Sequence, residues 1–295
     1  MFKKRILPIS VTVTALVALL VLSAMASVAS PAVDRGLPTA HLNNAAGSQR
    51  SNVAWSFGND WITGDDFTVG VTGETWVVTG IRTWQVGTLV SNTSFAFGDR
   101  YDSVSLYNGP ASPVGGVSQV ATGKLASGSS TNTNPYITHS RVNYANSNQP
   151  NYEGSTGNQL QLWQTDFTNL SLVVDGGVKQ NFAVDGTVRA SVSSYFFNHA
   201  SNAALSGSVQ QGSDGRYLAW DRSALGAAPF VCDSGDAVLC GGWDKSSDIN
   251  VQVFASRVAT VDSYCKNDGW MTLARSDGSS FKNQGDCVSY AQNGR

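Results

Sequence analysis

"ETWVVTGIRTWQVG", residues 74–87, is the stretch whose reading decides the fold. It is rich in β-branched and aromatic residues, the types that fit a pleated surface, and it has no Pro. Trp76, Val78, Gly80, Arg82 and Trp84 share one parity, and Val77, Thr79, Ile81 and Thr83 the other. Side chains of a strand alternate between its two faces, so the segment reads as a strand that alternates over part of its length.

Comparable runs lie on either side. "DDFTVGV" (65–71) precedes it. "YDSVSLYNGP" (101–110) alternates more cleanly, with Val104 and Leu106 opposite Ser103, Ser105 and Tyr107. "YITHSRVNYA" (136–145), "NQLQLWQTDF" (158–167), "NLSLVVDGG" (169–177), "VKQNFAVDG" (178–186), "VRASVSSYFFN" (188–198) and "INVQVFAS" (249–256) continue the series. Many short strands of period two, split by Gly, Asn, Ser and Pro, define an all-β chain, an antiparallel β-sandwich or barrel. "VVDGGVKQNF" reads as a hairpin, because Asp-Gly and Gly-Gly supply positive φ angles. The segments 124–135 and 146–158 read as polar loops longer than turning requires.

Composition agrees. Charged residues are 14% of the chain, and Glu occurs only at Glu74 and Glu153. Helix surfaces draw on Glu and Lys, so long amphipathic helices have little raw material here. The first 29 residues read as a secretory signal peptide: Lys3, Lys4 and Arg5, an apolar run to Leu22, then small residues around Ala26 and Ala29. An uncleaved anchor is the competing reading of that run. Three of the 19 basic residues lie in this leader, leaving 16 against 21 acidic ones, a net charge of −5. No basic cluster follows residue 5, which argues against capture of nucleic acid or anionic lipid. The expected product is a secreted, extracellular protein with no membrane contact after cleavage. It comprises an N-terminal arm (30–52) able to hold one short edge strand, a sandwich (53–258) and a terminal unit (259–295).

Four cysteines in an exported chain read as two disulfides. Three connectivities exist. The sequential one, Cys232–Cys240 and Cys265–Cys287, is favoured because each pair brackets its own polar, Gly-containing segment. The loops would contribute about 2.5 and 3.5 kcal/mol on the chain-entropy argument. Zinc would need closely spaced Cys or His pairs, and none occurs.

Two stretches carry a resemblance. Cys265, Lys266, Asn267, Gly269 and Trp270, then Phe281, Lys282, Asn283, Gln284, Gly285, Cys287, Val288 and Ser289 form a Cys-Lys-Asn-x-Gly-Trp…Phe-Lys-Asn-Gln-Gly-x-Cys-Val-Ser pattern. It resembles a motif at the ends of uncharacterised bacterial secreted proteins. The resemblance implies a bacterial source and supports the Cys265–Cys287 pairing. Asp268 departs from the usual Gly, and the spacer 271–280 is longer than usual. Asp65, Asp66, Phe67, Trp76, Ile81, Leu106, Tyr107 and Gly109 resemble a group of exported bacterial domains, which implies a jelly-roll-like sandwich.

Familiar chemistries fit poorly. Asp233-Ser234-Gly235 is similar to the nucleophile segment of trypsin-like proteases, but none of His41, His139 and His199 lies in a matching histidine-side motif. Neither Gly-x-Ser-x-Gly nor His-Glu-x-x-His is present. A glycosidase needs two facing carboxylates, for which Glu74, Glu153, Asp166 and Asp221 are the candidates. Asp60, Asp65 and Asp66 cluster as turns that hold a structural Ca²⁺ do, without the spacing of an EF-hand; plain turn residues are the competing reading. No other cofactor is indicated. Of eight tryptophans, Trp76, Trp84 and Trp163 read as core, whereas Trp55, Trp61, Trp220 and Trp243 lie near loops with Asp and Asn neighbours and are the candidates for stacking on a sugar. The leading expectation is a non-catalytic module for an extracellular glycan or surface protein. A carbohydrate-active hydrolase or lyase and a purely structural surface protein are the alternatives.

Overall fold

The structure is a computed structural model that describes residues 30–38, 53–57, 61–87, 96–111, 116–142, 161–189, 196–199, 216–232, 248–258, 265, 269–271 and 279–293. The strands are β1 (Val33–Asp34), β2 (Val53–Phe57), β3 (Trp61–Phe67), β4 (Thr75–Gly87), β5 (Tyr101–Pro110), β6 (Ser118–Lys124), β7 (Ile137–Arg141), β8 (Gln161–Phe167), β9 (Leu172–Asp175), β10 (Gln180–Val188), β11 (Phe196–His199), β12 (Tyr217–Asp221), β13 (Phe230–Cys232) and β14 (Val251–Arg257). An α-helix, α1 (Gln284–Asn293), lies near the C-terminus.

Two antiparallel sheets make a sandwich. One has six strands in the order β13-β12-β3-β10-β5-β6. The other has eight and is organised by the 13-residue β4. β14 and β11 pair along one side of β4, and β9 and β8 along the other. β1 extends this sheet beyond β14, β2 beyond β11, and β7 beyond β8. Between the sheets lie Phe67, Val78, Ile81, Val104, Leu106, Phe167, Phe182, Val184, Val251 and Val253, all at most 2% exposed.

β4 departs from simple alternation for a local reason. Gly80 faces Phe254 and Val78 faces Ala255, so Thr79 is an extra residue on β4. Such a bulge reverses which parity faces inward. Val78 and Ile81 both reach the core, although they differ in parity. Arg82 is thereby turned to the outer face.

The "VVDGGVKQNF" stretch turns without forming a hairpin, which corrects the sequence reading. Gly177 does adopt φ +77°. But β9 pairs with β4 in one sheet, and β10 pairs with β3 and β5 in the other. The turn amides explain the crossing: Gly176 N donates to Glu74 O and Gly177 N to Val69 O. This corner is thus tied to the β3–β4 connection, which also passes from one sheet to the other.

Residues 30–38 of the arm send Val33 and Arg35 into the interior. β1 pairs with β14, and Arg35 behind it is fully buried. Its Nη1 donates to Asp65 Oδ2 at 2.6 Å and its Nη2 to Asp66 O at 2.6 Å. Asp65 also accepts from Ile249 N and Asp66 N. Burial pushes the Asp65 carboxyl up, and the guanidinium of Arg35 opposes that shift.

A second buried polar group lies between the sheets. His139 stacks on Phe97 with ring centroids 4.3 Å apart. Asn132 Oδ1 accepts from Asn134 N, so Asn132 Nδ2 faces His139 Nε2 as a donor. His139 Nδ1–H then donates to Thr165 Oγ1, which donates to Gln85 Oε1 at 2.7 Å. Gln85 Nε2 donates to Thr83 Oγ1, and Asn198 Nδ2 to Thr63 Oγ1.

The terminal unit has a cluster of its own: the Cys265–Cys287 disulfide and Phe281, with Trp270, Val288 and Tyr290 packed against them. Asn283 caps α1 by accepting from Asp286 N, and Asp286 accepts from Lys282 N.

Candidate functional site

The bulge in β4 puts Arg82 into a row that crosses five strands of the eight-stranded sheet on its outer face. Asp34 of β1 faces Gln252 of β14, which faces Arg82; Arg82 faces Asp166 of β8, and Asp166 faces Thr138 of β7. The register makes these side chains lateral neighbours, and they bond in sequence. Gln252 Nε2 donates to Asp34 Oδ1 at 3.1 Å, and Arg82 Nη1 to Gln252 Oε1 at 3.2 Å. Arg82 Nε donates to Asp166 Oδ1. Gln164 Nε2, two residues along β8, donates to Asp166 Oδ2 at 2.7 Å.

The row is partly wet: the Arg82 and Asp166 side chains are 27% and 17% exposed, and Asp34 and Thr138 are exposed. Arg82 lies over the Phe254 ring, 5.5 Å from its centroid, which fixes the guanidinium plane. Beside Thr138, Tyr136 is 50% exposed. Thr168 N donates to Tyr136 O, which ties Tyr136 to the end of β8 just ahead of β7, two residues before Thr138. The result is a preorganised line of alternating acceptors and donors with an aromatic ring at one end. Asp34 Oδ2 and Arg82 Nη2 have no protein partner among the described residues.

The aromatic candidates from the sequence are placed differently. Trp220 is 1% exposed and lies in a cluster with Ile62, Tyr107, Val117, Ala183 and Leu218 on the outside of the six-stranded sheet, with Leu225 packed against it. Its indole Nε1 is buried without a partner, and no face of the ring is open to stack on a ligand. Trp61 is half-buried, packed against the main core and edge-to-face with Phe230 at 5.1 Å. Only the backbone of Trp55 is described, and Trp243 lies outside the described residues. Trp84 and Trp163 are buried, and Trp76 is half-buried against the core.

The carboxylates have evident structural partners. Asp65 is paired with Arg35, and Asp66 with Lys179 Nζ at 2.9 Å and with Arg35 Nη2 at 4.0 Å, so both carboxylates already face protein cations. Asp60 lies outside the described residues. Among the described residues no three His, Cys, Asp or Glu side chains are placed to hold a metal ion. Glu74 accepts from Trp76 Nε1 at 2.9 Å and from Val71 N, and these bonds lower its carboxyl pKa. Asp221 caps the short 3-10 turn 222–224 through Ser223 N. Glu153, Cys240, the leader and the Asp233-Ser234-Gly235 stretch lie outside the described residues, and of Cys232 only the backbone is described.

Of this row, only Asp166 is a candidate functional residue from the sequence. Gln164 and Asp166 share a parity in "QLWQTDF", which marks them as one face of a strand. Nothing local pairs them with Arg82 or Gln252, which are 84 and 170 residues from their partners. No family model matches the chain, and neither a curated protein nor a solved structure is significantly similar to it.

Proposed function

We propose that the chain is an exported, non-catalytic sandwich module that holds an extracellular glycan on the outer face of the eight-stranded sheet. The hydrogen-bonded row from Asp34 to Asp166, ending beside the exposed ring of Tyr136, carries this reading. Sugars present hydroxyls that both donate and accept, and C–H faces that pack on aromatic rings. A row whose members hold one another in place binds such groups at a lower entropic cost than free side chains would. Of the acids considered for hydrolysis, the three among the described residues, Asp166, Asp221 and Glu74, are each committed to an ion pair or a turn.

The test is retention of residues 30–295 on a panel of immobilised polysaccharides, with soluble products followed in the same wells. Retention without product is the expected result. Tyr136→Ala should weaken it about tenfold, the loss of roughly one stacking contact, with no change in melting temperature. Release of product would replace the reading with a carbohydrate-active enzyme. Absence of retention on every polymer would leave a structural or protein-binding role.

A further inference from the structure

Resting on that glycan reading, we infer that the row selects a neutral, extended glycan lying across the strands, and that it rejects uronate-type polyanions.

The charge of the row comes first. It carries two carboxylates, Asp34 and Asp166, against one guanidinium. Arg82 already serves Asp166 through Nε and Gln252 through Nη1. An approaching carboxylate would meet the exposed Asp34 at one end of the row and a neutralised cation at its centre. Like charges brought together at a partly desolvated surface disfavour binding, and the −5 charge of the chain without its leader acts in the same direction. Neutral hydroxyls meet no such penalty. They can donate to Asp34 Oδ2 and accept from Arg82 Nη2, the two atoms left open.

The direction of the ligand follows from the register. The five facing residues lie one per strand, perpendicular to the strands. At about 4.8 Å between strands the line runs roughly 19 Å. A polysaccharide chain laid along it meets a new polar side chain at each strand crossed, so contacts accumulate with chain length. A disaccharide would reach only part of the line. The Phe254 ring lies under Arg82 and is not free as a platform, and among the described residues Tyr136 is the exposed ring beside the row. Recognition is therefore led by hydrogen bonds along a single chain, not by a flat aromatic row suited to a crystalline polymer surface.

The experiment measures binding of residues 30–295 to neutral polymers (β-glucan, xylan, mannan) and to polygalacturonate and alginate at one ionic strength. Oligosaccharides of any retained polymer follow, from dimer to hexamer. The expected pattern is at least tenfold preference for a neutral polymer, and affinity that rises with length to about four or five sugars. Asp34→Asn, at an exposed position, should bring uronate polymers closer to the neutral ones. Gln164→Ala, which removes the donor that holds Asp166 Oδ2 in the row, should weaken the neutral ligand about tenfold, the support of one hydrogen bond. Equal or tighter binding of a uronate polymer would overturn this inference and leave the glycan reading standing. A dimer that binds as well as a pentamer would overturn the extended-chain geometry alone. Failure of every polymer to bind would overturn both.

Discussion

At pH 7 the imidazole of His139 is neutral, because burial lowers its pKa from 6.5 to about 4. Asn132 and Thr165 also fix one tautomer. The sign of the stability effect follows. Below pH 6.5 the unfolded chain takes up a proton that the folded chain refuses, so stability is complete above pH 6.5 and falls as the pH drops toward 4. The loss from this residue should reach about 2 kcal/mol at pH 5 and about 3 at pH 4 and below. Urea midpoints at pH 7 and pH 5 for the native chain and for His139→Gln check it: the variant should lose less on acidification, and an equal loss would refute the assignment. Arg35 carries the larger single consequence. Arg35→Ala would leave Asp65, fully buried, without its cation, at a cost of about 3–5 kcal/mol in denaturant unfolding. Replacing Arg35 and Asp65 together with apolar residues should cost less than Arg35→Ala alone.

Among the elements, β4 decides the most. It pairs with four other strands, and its bulge assigns Val78 and Ile81 to the core while Arg82 faces out. Deletion of Thr79 would restore unbroken alternation and drive Arg82 inward or Ile81 outward. The expected result is failure to fold, read as loss of the β signature in circular dichroism. Thr79→Ala is the control: the side chain is exposed and makes one bond, to Phe254 O, so the change should cost no more than about 1 kcal/mol. The bulge was not legible in "ETWVVTGIRTWQVG", since a Thr-Gly pair inside a strand is compatible with straight alternation and with a bulge alike. β5 was legible to the residue, because Val104 and Leu106, which enter the main core, alternate with serines. β6, β12 and β13 were not. "SQVATGK", "YLAWD" and "FVC" are too short or too polar to stand out, and they are strands because β5, β3 and β12 respectively hold them.

For the molecule as a whole, the sandwich and the terminal cluster have separate apolar centres. The terminal centre is small, and its disulfide closes a loop with a sequence separation of 22. Cys265→Ser with Cys287→Ser should therefore unfold the terminal unit, by about 3.5 kcal/mol on the chain-entropy argument. The main melting transition of the sandwich should barely move. Limited proteolysis checks this: the double variant should lose residues beyond 258 while a sandwich fragment persists, and loss of the sandwich on the same timescale would show that the two centres are coupled.

The sequence alone determined the all-β class and the place of most strands, and favoured the Cys265–Cys287 closure that the structure shows. These depend on period, turn residues and spacing along the chain, which are local quantities. It also marked "FKNQGDC" as a unit, within which Asn283 proves to be the cap of α1. Only the tertiary structure decided which sheet each strand joins, as the "VVDGGVKQNF" corner illustrates, and which tryptophans are covered, as Trp220 illustrates. It alone brought Asp34, Arg82, Asp166 and Gln252 into one row. Strand register is set by packing between residues 80 or more positions apart, and no pattern within a single strand encodes it.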